Sequence, residues 1–113
     1  MKPIPKKLLI HTVQLQSVSG TDAWGNEILA DPVELQYVRL EPSTKYVRDK
    51  DHKEIQLAAT LFYDCYNSRP RDQTFSDGQV LTFNGEKYRV QLVEPLYDGR
   101  RLHHYEMGLI RNS

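Results

Sequence analysis

The sequence predicts an all-β protein: a small antiparallel β-barrel of about six strands that carries one long charged loop. Three observations lead there. In Ser76–Ile110 (SDGQVLTFNGEKYRVQLVEPLYDGRRLHHYEMGLI), runs rich in Val, Leu, Phe and Tyr are divided by Asn84-Gly85 and Asp98-Gly99. Asn-Gly between alternating runs is the strongest short-range hairpin signal, because a type I′ turn needs positive φ at both central residues. The runs also alternate: Leu81 and Phe83 share a parity, as do Tyr88, Val90 and Leu92, and then His103, Tyr105, Met107 and Leu109. Lys87, Arg89 and Gln91 take the opposite parity and are expected to be exposed. Finally, three more strand-like runs precede this meander, and the spacing of strand and turn signals leaves no room for a long helix.

Met1–Lys7 holds two prolines and reads as an extended arm that docks on something, since proline removes a donor and biases its predecessor away from helix. Leu8–Ser19 is the first strand, with Leu9, His11, Val13 and Leu15 on one parity. Thr21–Asn26 (TDAWGN) is a turn, and Trp24 within it suits a buried or a surface position equally. Val33–Glu41 is the second strand. Its apolar parity switches from Val33, Leu35 and Tyr37 to Val38 and Leu40, which predicts a bulge. Ile55–Tyr66 (IQLAATLFYDCY) alternates through Ile55, Leu57, Ala59, Leu61 and Tyr63 and is assigned to strand, although its Leu and Ala would also suit a helix. Asn67–Ser76 (NSRPRDQTFS) is a connection in which Pro70 excludes a central strand and Arg69 with Arg71 forms a small basic spot.

Between the second and third runs lies Pro42–Glu54 (PSTKYVRDKDHKE), which is highly charged and lacks an Asn-Gly or Asp-Gly turn. The bland reading is a solvated hairpin loop. Half of such a loop could project roughly 20 Å at the rise of a strand, and long loops in compact domains are disproportionately functional. With only Tyr46 and Val47 as apolar residues, it is expected to be mobile in the monomer and to add little stability.

Composition narrows the function. A chain of 113 residues is read as one domain, 1–113. Hydrophobic residues make up 39% and charged residues 27%, and no run approaches the ~20 apolar residues of a membrane helix. The apolar part near the N-terminus stops at three residues before His11, too short for a secretory signal. Cys65 is the only cysteine, so an internal disulfide is excluded and a reducing compartment is expected. Basic and acidic residues balance at 15 each, so no global field draws in nucleic acid or anionic membrane.

Chemical motifs are sparse. His103-His104 resembles a metal pair, but adjacent strand residues point to opposite faces and should not share an ion. His104 and Glu106 share a face and are expected to form an exposed pair. Cys65 sits in an aromatic run as a small buried hydrophobe without a basic neighbourhood. Neither glycine turn is followed by a helix start that would cradle phosphate. The expectation is therefore a non-enzyme without metal or cofactor, working by binding or assembly. An oligonucleotide-binding barrel for single strands is the alternative, with Tyr88 and Arg89 as its strand-face candidates.

Asp22-Ala-Trp-Gly25, Ala59-Thr-Leu-Phe-Tyr-Asp64 with Asn67-Ser68 and Pro70, then Asp77-Gly78, Gly85, Tyr88, Val90 and His103-His-Tyr-Glu106 follow one another in a familiar order. In that order the chain, from about Pro5 to Ile110, resembles the minor capsid proteins of tailed bacteriophages and prophages, a group related to head-completion and head–tail stopper connectors. The resemblance implies a structural protein made in the bacterial cytoplasm and built into the virion at the head–tail junction. There it would form a homo-oligomeric ring between the portal or adaptor protein and the tail-joining protein, with no membrane contact. By position, Pro42–Glu54 becomes the channel loop, with Tyr46 and Val47 as anchors and His52 among its partner-binding residues. Lys45, Arg48, Lys50 and Lys53 would face packaged DNA or acidic residues of adjacent subunits. Trp24, Arg69, Arg71, His104 and Glu106 are the candidate interface residues.

Overall fold

Asn84 and Gly85 both take positive φ, 51° and 77°, as the type I′ turn requires. They join β8 (Val80–Phe83) to β9 (Glu86–Asp98), and the second turn, with Gly99 at φ 63°, joins β9 to β10 (Arg101–Arg111). The computed structural model describes residues 2–112, so Met1 of the expected arm and Ser113 lie outside the described residues. Around this meander the six long strands pair antiparallel in the order β1-β4-β7-β10-β9-β8, where β1 is His11–Gln16, β4 Val33–Pro42 and β7 Ala59–Asp64. Gln14, Leu15 and Gln16 of β1 pair with Thr82, Leu81 and Val80 of β8, and the sheet closes as a barrel. Two short hairpins extend from it. One is β2 (Val18–Thr21) with β3 (Glu27–Leu29), the other β5 (Tyr46–Arg48) with β6 (Glu54–Gln56).

The barrel is filled by inward-facing side chains of every long strand, including Val13, Leu15, Leu35, Val38, Leu61, Tyr63, Leu81, Val90, Met107 and Leu109. Phe75, from the connection after β7, packs edge-on against Tyr63 and Tyr105. The expected bulge in β4 is present. Between the pairs His11–Val38 and Val13–Leu35 the register shifts, and Tyr37 takes φ 56° and turns outward while Val38 is fully buried.

Several boundaries differ from the sequence reading. Leu8–Ser19 is not one strand: Lys6–Leu8 forms a 3-10 turn after Pro5, and β1 ends at Gln16, where the chain leaves the barrel for the first hairpin. Ile55–Tyr66 divides into β6 and β7 at a bend around Ala58. Leu57 is buried, yet it lies over Gly108 of β10 rather than in the core cluster. A second bulge, with the pairs Gly108–Leu92 and Leu109–Val90, leaves Gln91 as the extra residue. It shifts the inward parity of β9, so that Val93, opposite Met107, packs on the core and Leu92 lies opposite Gly108. Arg89 and Gln91 are half-buried rather than exposed, whereas Lys87 is exposed as expected.

The N-terminal arm docks on its own barrel. The Ile4 amide donates to Asp64 Oδ1 at 3.0 Å, and the Asn67 side-chain amide donates to the Ile4 carbonyl at 2.7 Å. Asp64, fully buried, also accepts the Tyr66 and Asn67 amides on Oδ2, and its own amide donates to Ser68 Oγ. Ser68 in turn donates to the Tyr37 carbonyl at the β4 bulge. The Asp64, Asn67 and Ser68 of the sequence motif are thus the knot that joins the arm, the end of β7 and the bulge.

Candidate functional site

The charged loop is a hairpin that prolongs the β4–β7 pair beyond the barrel. Hydrogen bonds carry the pairing across the bend at Ala58: Pro42 faces Ala59, the Ser43 amide donates to the Ala58 carbonyl, the Leu57 amide donates to the Lys45 carbonyl, and Tyr46, Val47 and Arg48 pair with Gln56, Ile55 and Glu54. Its tip is closed by side chains rather than by an Asn-Gly turn. Asp49 Oδ1 accepts the Asp51 and Lys53 amides, both at 2.9 Å, the Asp49 amide donates to the Lys53 carbonyl, and Arg48 donates to the His52 carbonyl. His52 supplies the left-handed residue, φ 60°. The expectation of a loop without a compact turn is therefore corrected: an Asx-type turn does the work of glycine.

The root is fixed by a close approach. A Cβ at Gly108 would meet Leu57 Cδ1 at 2.9 Å, so glycine is what lets Leu57 settle there. At the tip, Lys50 Nζ lies 4.0 Å from Asp77, with both side chains largely exposed, a contact worth little in water. Lys45, Arg48, Lys50 and Lys53 are all exposed, and so is Tyr46, whereas Val47 is half-buried beside its partner Ile55. Against these four cations stand Asp49, Asp51 and Glu54, and Asp49 is turned inward onto backbone amides. Solvent therefore sees an excess of positive side chains.

The remaining candidates lie elsewhere. Trp24 is 88% exposed at the tip of the β2–β3 hairpin. Asp22 Oδ1 accepts the Trp24 and Asn26 amides, and these bonds hold the Asp22 carboxyl below its usual range. Next to the turn, where Thr21 pairs with Glu27, the hairpin is clamped to β9 by Arg89, whose two terminal nitrogens reach the Glu27 carboxylate at 2.6 and 2.9 Å and hold Glu27 below its usual range. This clamp is why Arg89 is half-buried. Arg69 donates to the Tyr66 and Ser68 carbonyls, and Arg71 lies over the Tyr66 ring, so both arginines are engaged by their own connection. The structure does not bring these residues to the charged hairpin.

His103 and His104 were expected to diverge, but a register shift between Leu102 and His104 brings their Nδ1 atoms to 2.7 Å. His103 Nε2 faces the Lys2 carbonyl at 2.7 Å and His104 Nε2 faces Glu106 at 2.9 Å. For all three contacts to be hydrogen bonds, the chain needs one proton more than two neutral rings and a carboxylate carry. The bulge thus makes a latch on the arm, and among the described residues no cluster of three or more metal-ligating side chains occurs. Burial first, then Asp64 and Asp72, pushes the Cys65 thiol up, away from a reactive thiolate. Tyr88 is buried and Arg89 is bound to Glu27, so this pair offers no stacking face for single strands. No helix among the described residues is long and apolar enough to cross a membrane.

The sequence reading gave no structural role to Asp49 or Gly108, took Asp22 only as part of a motif, and placed Arg89 on an exposed strand face rather than in a clamp. Asp22 and Asp49 carried a usable signal, an Asp followed two and four residues later by amides it can cap. Searched against curated proteins, the chain finds no match. Among protein families, the one described as Minor capsid protein matches residues 5–109, which takes in both hairpins and the barrel up to Leu109 of β10. With nearly its whole length matched, the chain belongs to the family of phage minor capsid proteins and is a structural component of the virion.

Proposed function

We propose that this minor capsid protein assembles as a homo-oligomeric ring at the portal vertex, at the head–tail junction, between the portal or adaptor protein and the tail-joining protein. The β5–β6 hairpin then faces the channel. The observation that carries the reading is that hairpin: a strand pair continued beyond the barrel wall, closed by its own side chains and presenting Lys45, Arg48, Lys50 and Lys53 to solvent. Cations on a preformed arm suit non-specific contact with packaged DNA or with acidic residues of neighbouring subunits. Binding by charge and position, without chemistry, fits a non-enzyme with no cofactor.

The test replaces Tyr46–Gln56 by Asn-Gly, joining Lys45 to Leu57, which already exchange a hydrogen bond. Particles built with this variant should leak DNA or fail to join tails, scored by electron microscopy and by plaque counts. Fully infectious particles would remove the hairpin from channel closure. Virions lacking the protein altogether should show heads without tails at one vertex; normal tailed virions would overturn the connector reading.

A further inference from the structure

The most exposed large apolar side chain stands opposite an apolar groove that it cannot reach within its own chain. Trp24 is held out on the turn of the β2–β3 hairpin, braced from within by Asp22 and, at the first residue after the turn, by the Arg89–Glu27 clamp. That hairpin leaves the barrel after Gln16 and returns at Val33, at one end of the β1–β4 pair. At the other end, an open groove of about 420 Å³ is lined by Ile4, Leu8, Phe62, Arg39 and Glu41, with His104 behind. The six residues of β1 alone put roughly 20 Å between the two ends.

The groove has the chemistry an indole needs. Ile4, Leu8 and Phe62 supply apolar walls. The Arg39 guanidinium is fixed, donating to the Leu8 carbonyl at 3.0 Å and to Glu41 Oε1 at 2.7 Å, and a fixed guanidinium plane is a stacking platform for an aromatic ring. Glu41 Oε2 takes no hydrogen bond among the described residues and can accept from a ring N–H, which a buried tryptophan must place somewhere.

We propose that Trp24 of one copy seats in this groove of a second copy. Its face lies on the Arg39 guanidinium, its edge lies against Leu8 and Phe62, and its N–H donates to Glu41. The contact rests on the ring assembly proposed above and names the surface through which neighbouring copies touch. A knob and a hole on opposite ends of the molecule make a head-to-tail interface, the kind that repeats around a ring. A seated tryptophan buries roughly 150–250 Å² of its own surface, far below the 1,200–2,000 Å² of a standard stable interface. Pairs are therefore weak, and assembly of the isolated chain appears only at high concentration.

Trp24 is the sole tryptophan and reports on its own burial. Its emission maximum and the sedimentation of the full-length chain are followed together from dilute to concentrated solution. The expected result is a blue shift in step with growth beyond the monomer. Trp24→Ala, and Leu8→Glu at a residue already 44% exposed, should each weaken assembly by about tenfold or more while leaving the thermal melt in place. Oligomers in which Trp24 still emits as in water, or a Leu8→Glu chain that assembles like the wild type, would overturn the contact and leave the ring intact. A chain that stays monomeric throughout would also overturn it. The ring itself is judged separately, by the virions lacking the protein.

Discussion

His11 accepts the Leu40 amide on Nδ1 at 3.0 Å and packs edge-on against Phe83, which requires that nitrogen to be unprotonated. Burial first, and then the charge of Arg39, lowers its pKa below the ordinary imidazole value. The unfolded chain therefore takes up this proton more readily than the folded one. Stability should fall as pH drops from the ordinary imidazole value toward the lower folded one, and the loss should level off below it. Melting temperatures recorded from about pH 8 to about pH 5 will show the slope, and His11→Gln should flatten it. The carboxylates of Asp22 and Glu27 act at lower pH with lowered pKa values, so the stability they lend is present above the ordinary carboxylate range and is lost as pH falls through their folded values. Amide exchange at Trp24 and Asn26 should accelerate there before the barrel opens; simultaneous exchange of the barrel amides would count against a separate hairpin. In the core, Val90→Ala should cost about 1–3 kcal/mol in chemical denaturation, because Val90 is 1% exposed within the closed sheet.

At the scale of elements, the outcome turns on where strands are regular. Alternation located Leu81, Tyr88, Val90, Met107 and Leu109 in the core, since a period of two assigns faces wherever the ladder is unbroken. It failed at Leu92 and at His103-His104 because one extra residue reverses parity and nothing in composition marks it. The Asn84-Gly85 turn was legible in its glycine, while the tip at Asp49–Lys53 was not, because a carboxylate cap and a left-handed histidine replace the glycine signal. The charged hairpin overlaps the expected loop but is shifted along the chain, from Pro42–Glu54 to Tyr46–Gln56, and its paired character was hidden by its polarity. Its root rests on Gly108, and Gly108→Val would drive the new side chain into Leu57. The expected cost is roughly 1–3 kcal/mol, the range for an overfilled site, with loss of amide protection concentrated at Lys45 and Leu57. Protection lost evenly over β10 would instead locate the strain in the barrel.

For the molecule as a whole, the two hairpins are additions to a sheet that is complete without them. Replacing Tyr46–Gln56 by Asn-Gly leaves every barrel ladder intact, and closure entropy changes slowly with loop length, so the melting temperature should stay within about 3 °C of wild type. A larger drop would show that the hairpin helps to hold the barrel. Closure has another effect in a particle, where many protein surfaces are crowded together. An open sheet would offer an unpaired backbone edge to every passing strand and invite adhesion in arbitrary registers. Here the six long strands close on one another with no terminal strand, and the edges left free include the flanks of the hairpins, three or four residues long, and the far part of β9, where residues 92–98 pair with β10 alone and Pro95 removes a donor. Crowding can then concentrate the protein without turning its backbone into glue.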